Sequence, residues 1–346
     1  MTLTAVPVSS HDPALAPAFE AARQICRGHD RGLYLASSFL PPHKRAATWA
    51  VLAMRQMIHE AIDLPPDQPL RGATAMRQHP AVALPVIQPQ HEDDAHCDVG
   101  SPASRLEMFR QRLDEVYAGG LELPSPESRS PQQHALYAFA DTVRRFEIPR
   151  RYFMNLAEGR AADLTTTRYA TWPDLERHCA QTDGAVALIL SCVLGVTHSD
   201  GPRRAAELGC AIRLTRILRD LSRDADHGRV YLPGNEMDRF VYTTDDLARR
   251  VIDDRFVALM KLQIARARQL YRAGAEGICW LAGDGSRMTA SLVTVAQAGV
   301  LDAIERRRYD VFTRPPRASL PRQLTRLPRA WKLARRRPEQ VLPDAF

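Results

Sequence analysis

Apolar residues recur every three to four positions along most of this chain, and that periodicity limits what the chain can fold into. It predicts helices over 13–28, from Pro42 to about Asp63, and over 103–118, 131–146, 150–161, 172–195, 202–225, 244–274 and 284–308. Pro42 stands at a first helical turn, where proline is tolerated, and Pro65-Pro66 closes the same helix. No run alternates with the period of two that a half-buried strand requires, and there is no GxGxxG turn, Walker loop or repeat. The expected class is all-α. One helical domain is expected over 13–312, between a flexible N-terminus (1–12) and a basic tail (313–346). Residues 64–102, rich in Pro, Gln and His, break the periodicity and read as a loop insertion.

Composition narrows the class further. No apolar run approaches the roughly 20 residues of a membrane span, and the N-terminal segment lacks the basic and apolar regions of a signal peptide. Six scattered cysteines (Cys26, Cys97, Cys179, Cys192, Cys210, Cys279) form no CxxC pair, so free thiols in a reducing cytoplasm are expected. The net charge of +7 comes almost wholly from arginine, the lysines being Lys44, Lys261 and Lys332. Two readings stay open: codon bias, or a need for forked guanidinium groups to grip a polyanion such as diphosphate. No nucleic-acid-binding motif accompanies the charge.

The segment LGCAIRLTRILRDLSRDADHGRVYLP (208–233) carries the strongest chemical signal. At 100° per residue, Arg213, Arg216, Asp220, Arg223 and Asp224 fall on one side of a helix, and Leu208, Ala211, Leu214, Thr215 and Leu218 on the other. Two carboxylates four residues apart can hold hard divalent cations through oxygen, with water and phosphate completing the shell. The competing reading is a solvated face with local pairs such as Arg216 with Asp220.

This segment resembles the second aspartate-rich motif of the squalene/phytoene synthase family, roughly QLTNILRDxxxDxxxGRxYLP. The matches are Leu214, Thr215, Ile217, Leu218, Arg219, Asp220, Asp224, Gly228, Arg229, Tyr231, Leu232 and Pro233. Residues 33–54, 140–179, 266–274 and 301–331 resemble other parts of the family, and only about 64–102 has no counterpart. The resemblance implies the isoprenoid-synthase fold, a single helical bundle around a central cavity. It also implies prenyl diphosphate substrates and magnesium bound by two facing aspartate-rich helices. Carried over residue by residue, it makes Asp220, Asp224 and Asp63 metal ligands, and Arg213, Arg216, Arg219, Tyr271 and Arg287 diphosphate-binding residues. Read from sequence alone, Tyr271 serves equally as helix packing and Arg287 as an exposed N-terminal arginine.

Several positions depart from the family pattern. The first motif, close to CRxxDDxxD in the family, reads Arg55-Gln56-Met57-Ile58-His59-Glu60-Ala61-Ile62-Asp63 here, so only Asp63 survives of its aspartates. Histidine is a poor magnesium ligand. Arg213 stands at a glutamine position, Arg216 at an asparagine, Arg223 at a frequent glutamate, His178 at a tyrosine, and Asp183 at a small apolar residue. A carboxylate in an apolar cavity is costly unless paired or used, so Asp183 reads either as a base or anchor or as an acid satisfied by backbone donors or an arginine. One blunted motif suggests one prenyl diphosphate (dimethylallyl, geranyl or farnesyl) and a different nucleophile. The expectation is therefore transfer to an aromatic, carbazole- or indole-like acceptor in natural-product biosynthesis, with His59, Glu60, His178 and Asp183 as candidate bases. The alternatives are head-to-head condensation of two prenyl diphosphates, or a non-catalytic prenyl-binding subunit. Two features stand apart. His91 to Asp98 lacks zinc spacing and reads as an acidic loop. The tail from Arg322 to Arg337 interleaves cations with Leu324, Leu327, Trp331 and Leu333, and reads as a membrane-surface contact or as packing on the domain.

Overall fold

A computed structural model describes residues 15–63, 102–120, 130–316 and 325–337. Among these there is no strand, only two isolated bridges, Arg168 with Val230 and Val196 with Leu281, and the fold is the all-α class expected. The expected insertion (but for Pro102), the flexible N-terminus and the 91–98 acidic loop lie outside the described residues. The described residues fall into two compact units that meet in sequence at Arg31/Gly32, Arg45/Ala46 and Arg145/Phe146.

The first unit contains α1 (Ala16–His29), α3 (Pro42–Asp63) from Ala46 onward, α4 (Pro102–Ala118) and α5 (Pro131–Arg145). Its core is built on alanine: Ala18 and Ala22, Ala46, Ala50 and Ala53, Ala135 and Ala138, joined by Phe19 and Tyr137. Small residues three and four apart form a flat stripe, which lets helices approach closely.

The second unit contains α2 (Arg31–Ala36) from Gly32, a short 3₁₀ turn (Ser37–Phe39), the first turn of α3, and α6 (Arg150–Thr165). It continues through α7 (Trp172–Cys179), α8 (Ala185–Leu194), α9 (Gly201–Asp226), α10 (Gly234–Arg239), α11 (Thr244–Ala248), α12 (Asp254–Glu276), α13 (Ser286–Arg306) and α14 (Leu327–Ala334). Helix α9 is the hub and packs on α7, α8, α12 and α13. Leu214, Ile217, Leu218 and Leu221 on α9 meet Phe256, Leu259, Met260 and Ile264 on α12 and Leu301 and Ile304 on α13 in one buried cluster. No described helix is long and apolar enough to cross a membrane. The described cysteines, Cys26, Cys179, Cys192, Cys210 and Cys279, are free thiols.

Two expected helices are broken. The 172–195 run is split by a five-residue π-helical turn, Ala180–Gly184. There a Cβ on Gly209 of α9 would lie 2.3 Å from the Asp183 carbonyl oxygen, so α9 meets this turn backbone to backbone. The 244–274 run is split because Thr243 and Asp246 form a capping box for α11, Arg250 takes φ 59°, and the Asp253 side chain then caps α12 by accepting from the Arg255 and Phe256 amides.

Candidate functional site

Most of the polar side of α9 is shielded from solvent, Arg223 excepted at 66% exposed. Asp220 is buried, and the side chains of Arg213, Arg216 and Asp224 are only 12%, 16% and 15% exposed. Helix α9 stops two residues after Asp224 because Gly228 adopts φ 72° and the Arg229 amide donates to the Asp224 carbonyl, which ends the helix in a left-handed cap. The chain then runs back along the α6–α7 connection, where the Val230 amide donates to the Thr167 carbonyl and the Gly234 amide to the Tyr169 carbonyl. This places Tyr231 over α6.

Each arginine of the stripe has an anionic partner. Arg216 Nη1 donates to Asp183 Oδ1 at 2.8 Å, joining α9 to the π-helical turn. The local pair of Arg216 with Asp220 anticipated from spacing is not what forms, because Asp183 lies across the close contact at Gly209. Asp220 instead accepts from Arg219 Nε and Nη2 at 2.8 and 2.6 Å and from Arg223 Nη2 at 3.3 Å. Arg223 Nη2 also stands 3.6 Å from Asp224. Burial pushes the Asp224 carboxyl above its usual range, against the pull of Arg223 and Arg213.

Beneath the stripe lies a second polar cluster. Arg213 sits 3.7 Å from Asp163, 2.9 Å from His178 Nε2, and over the Tyr231 ring. Asp163 also accepts from Arg160 and from the Tyr231 hydroxyl, at 3.0 and 2.8 Å. Burial alone would raise the Asp163 pKa, but the Arg213 and Arg160 guanidiniums and the Tyr231 hydroxyl hold it below the usual carboxylate range. His178 is pulled down to about 3, first by burial and then by Arg213. It is therefore a neutral imidazole at physiological pH. Its Nε2 faces an Arg213 donor, so Nε2 is the acceptor and Nδ1 carries the proton. A histidine this acidic is a weak base at neutral pH.

The remaining expected site residues are placed as follows. Tyr271 is buried between α12 and α9 with its hydroxyl 3.1 Å from the Thr215 hydroxyl. Arg287 is half-buried and donates through Nε to the Leu281 carbonyl, bracing the start of α13. In the first unit, Glu60 accepts from Gln56 at 3.0 Å and stands 3.4 Å from His29 Nε2. His59 is half-buried on the same helix, and the side chain of Asp63 lies outside the described residues. Sequence reasoning does not single out Asp163 and Arg160, and names Tyr231 only as a motif match without a role. Arg160 and Asp163 stand three apart on a helix, which reads as an ordinary surface pair until Tyr231 and Arg213 are seen to close over it.

No group of three or more His, Cys, Asp or Glu side chains is assembled for a metal among the described residues. Asp220 and Asp224 fit a hard divalent cation as a partial set of oxygen donors, one helical turn apart and mostly shielded from water.

Similarity places the chain. The model of the family described as squalene/phytoene synthase matches residues 26–323. A 15-cis-phytoene synthase of Synechocystis sp. is 31% identical over 326 residues, covering 91% of this chain and 84% of that protein. One from Synechococcus elongatus is 31% identical over 330 residues, covering 91% and 92%. Among solved structures, a dehydrosqualene synthase superposes with TM-score 0.73 at 23% identity, over 92% of this chain and 97% of the other. The squalene synthase HpnC of Alicyclobacillus acidocaldarius gives 0.67 at 22%, over 88% and 97%. These neighbours have the isoprenoid-synthase fold. The named relatives are phytoene synthases, a name for head-to-head condensation, and this overturns the expectation of an aromatic, carbazole-like acceptor. That expectation rested chiefly on the altered first motif, with the departures at His178 and Asp183 beside it. The chain belongs to the squalene/phytoene synthase family, a family of prenyltransferases that act on prenyl diphosphates.

Proposed function

We propose that this protein joins two prenyl diphosphates head to head, in the manner of a phytoene synthase. The supporting observation is the α9 stripe: Asp220 and Asp224 are retained, mostly buried, among Arg213, Arg216, Arg219 and Arg223. Such a stripe suits the departure of a diphosphate from an allylic carbon. The C–O bond breaks, the electron pair leaves with the diphosphate, and guanidinium forks meet the growing charge on its oxygens. The double bond of a second prenyl diphosphate then attacks the allylic cation and a proton is lost to solvent or the departed diphosphate; the coupled product in turn loses its own diphosphate, and the cation that this leaves loses a second proton to give a neutral hydrocarbon. Magnesium held by Asp220 and Asp224 would neutralise phosphate charge. Arg213 and Arg216 are the fixed cations, held from below by Asp163 and Asp183. Neutral His178 keeps Arg213 in place rather than taking a proton. Arg219, half-buried, is the donor nearest Asp220.

The test is pyrophosphate release by purified protein with magnesium and farnesyl or geranylgeranyl diphosphate as sole substrate. Release with a coupled prenyl product is expected. Release only when a non-prenyl acceptor is added would reject the proposal.

Helix α14 supports a peripheral contact with an anionic bilayer. Trp331 and Leu327, 50% and 45% exposed, share its outer face one turn apart, and residues 325–337 carry Arg326, Arg329, Lys332, Arg335, Arg336 and Arg337 with no acid. The inner face is seated by buried Ala330 and by Arg326, which donates to Asp302 of α13 at 2.8 Å. An aromatic flanked by cations matches an anionic interface. Sedimentation with phosphatidylglycerol vesicles, but not phosphatidylcholine vesicles, is expected and should be lost in Trp331→Ala with Leu327→Ala. Equal sedimentation of wild type and variant would reject it.

A further inference from the structure

The three stripe arginines and Arg219 at the stripe's flank divide into two pairs by what holds them. Arg213 and Arg216 are anchored by carboxylates on other elements, Asp163 and Asp183, whose side chains are 2% and 8% exposed. Arg219 and Arg223 are anchored by Asp220 on their own helix and are 30% and 66% exposed. Both oxygens of Asp220 accept from these two guanidiniums, Oδ1 from Arg219 Nε and Oδ2 from Arg219 Nη2 and Arg223 Nη2. A hard cation would need those same oxygens. Separating a mostly buried carboxylate from its guanidinium partners is costly unless another anion takes the guanidiniums over. A diphosphate is suited to that role, with more charge than a carboxylate and oxygens that match the fork.

We infer that Arg219 and Arg223 are exchange cations, which hold Asp220 until a diphosphate draws them away and thereby opens the carboxylate to a divalent cation. This rests on the diphosphate reading of α9 given above. It sets an order: diphosphate binds first, on guanidiniums alone, and the divalent cation binds second. Arg223 is the more mobile partner, since it is the more exposed and makes the longer bond to Asp220.

The experiment measures two equilibria on the full chain. Calorimetry follows inorganic pyrophosphate binding in EDTA, and electron paramagnetic resonance follows manganese binding without pyrophosphate. Wild type should bind pyrophosphate in EDTA, and Arg223→Gln should weaken this by about tenfold, the loss of one charge-assisted contact. Manganese alone should bind wild type weakly and Arg223→Gln several-fold more tightly. Arg177→Gln, which removes the same charge from a 70% exposed side chain paired with Asp174, should change neither. Manganese binding wild type alone as tightly as it binds Arg223→Gln would overturn the exchange, as would a pyrophosphate affinity that Arg223→Gln leaves intact. Wild type that makes coupled product yet shows either result keeps the proposed function and loses the exchange. Wild type that binds no pyrophosphate with or without metal loses both.

Discussion

Two helices of this protein carry acidic residues at motif positions, and they differ in what surrounds those residues. On α9, Asp220 and Asp224 are embedded among arginines, two of which are pinned by Asp163, His178 and Asp183 from α6, α7 and the π-helical turn. Near the end of α3, Glu60 is met by Gln56 on the same helix and by His29 at the end of α1. The difference teaches that carboxylate spacing does not make an anion site. Tertiary partners make it, by fixing cations that would otherwise be flexible and solvated.

The sharpest way to break this contrast is to neutralise the carboxylates in each region. Asp220→Asn and Asp224→Asn should each lower the rate of pyrophosphate release by about a thousandfold, the scale on which electrostatic stabilisation of a leaving group acts. Glu60→Gln should lower it by less than about tenfold. Comparable losses at Glu60 and Asp220 would erase the distinction.

Much of this is legible in the sequence. The periodicity and the 208–233 segment pointed to an all-helical chain and to the stripe of α9. What could not be read were partners distant in sequence. Arg216 lies within reach of Asp220 along the helix, yet pairs with Asp183, 33 residues away, because Gly209 lets α9 approach the π-helical turn. Asp183 was open between base and satisfied acid on sequence grounds, since nothing local reveals its arginine. The altered first motif drew attention to a different acceptor, when relatives across nine tenths of the chain are named for coupling two prenyl units.

A smaller effect tests the pinning itself. Arg216→Asn removes a guanidinium partner of a carboxylate that is 8% exposed, and should lower unfolding free energy by about 3 kcal/mol. Adding Asp183→Ala should restore most of that loss, because the two residues act as one unit. Equal and additive losses in chemical denaturation would show that they act separately.

The smallest effect is in pH dependence. His178 is held neutral down to about pH 3 when folded but takes up a proton near pH 6.5 when unfolded. The unfolded chain therefore binds the extra proton between those values, and stability falls as pH falls through that window. His178→Gln should reduce the slope between pH 6 and 4 by about 1.4 kcal/mol per pH unit. Asp163, with a lowered pKa, contributes stability that is lost progressively as pH falls below about 5, in wild type and His178→Gln alike, so the difference between their slopes reads His178. An unchanged slope would mean that His178 is not neutral in the folded protein.

The central claim is that the α9 stripe serves the joining of two prenyl chains. It is tested most directly by supplying an equal mixture of deuterated and unlabelled prenyl diphosphate, with magnesium and no other acceptor, and reading the product by mass spectrometry. A coupled product carrying one labelled and one unlabelled half is expected. Products that contain only a single prenyl unit would contradict it.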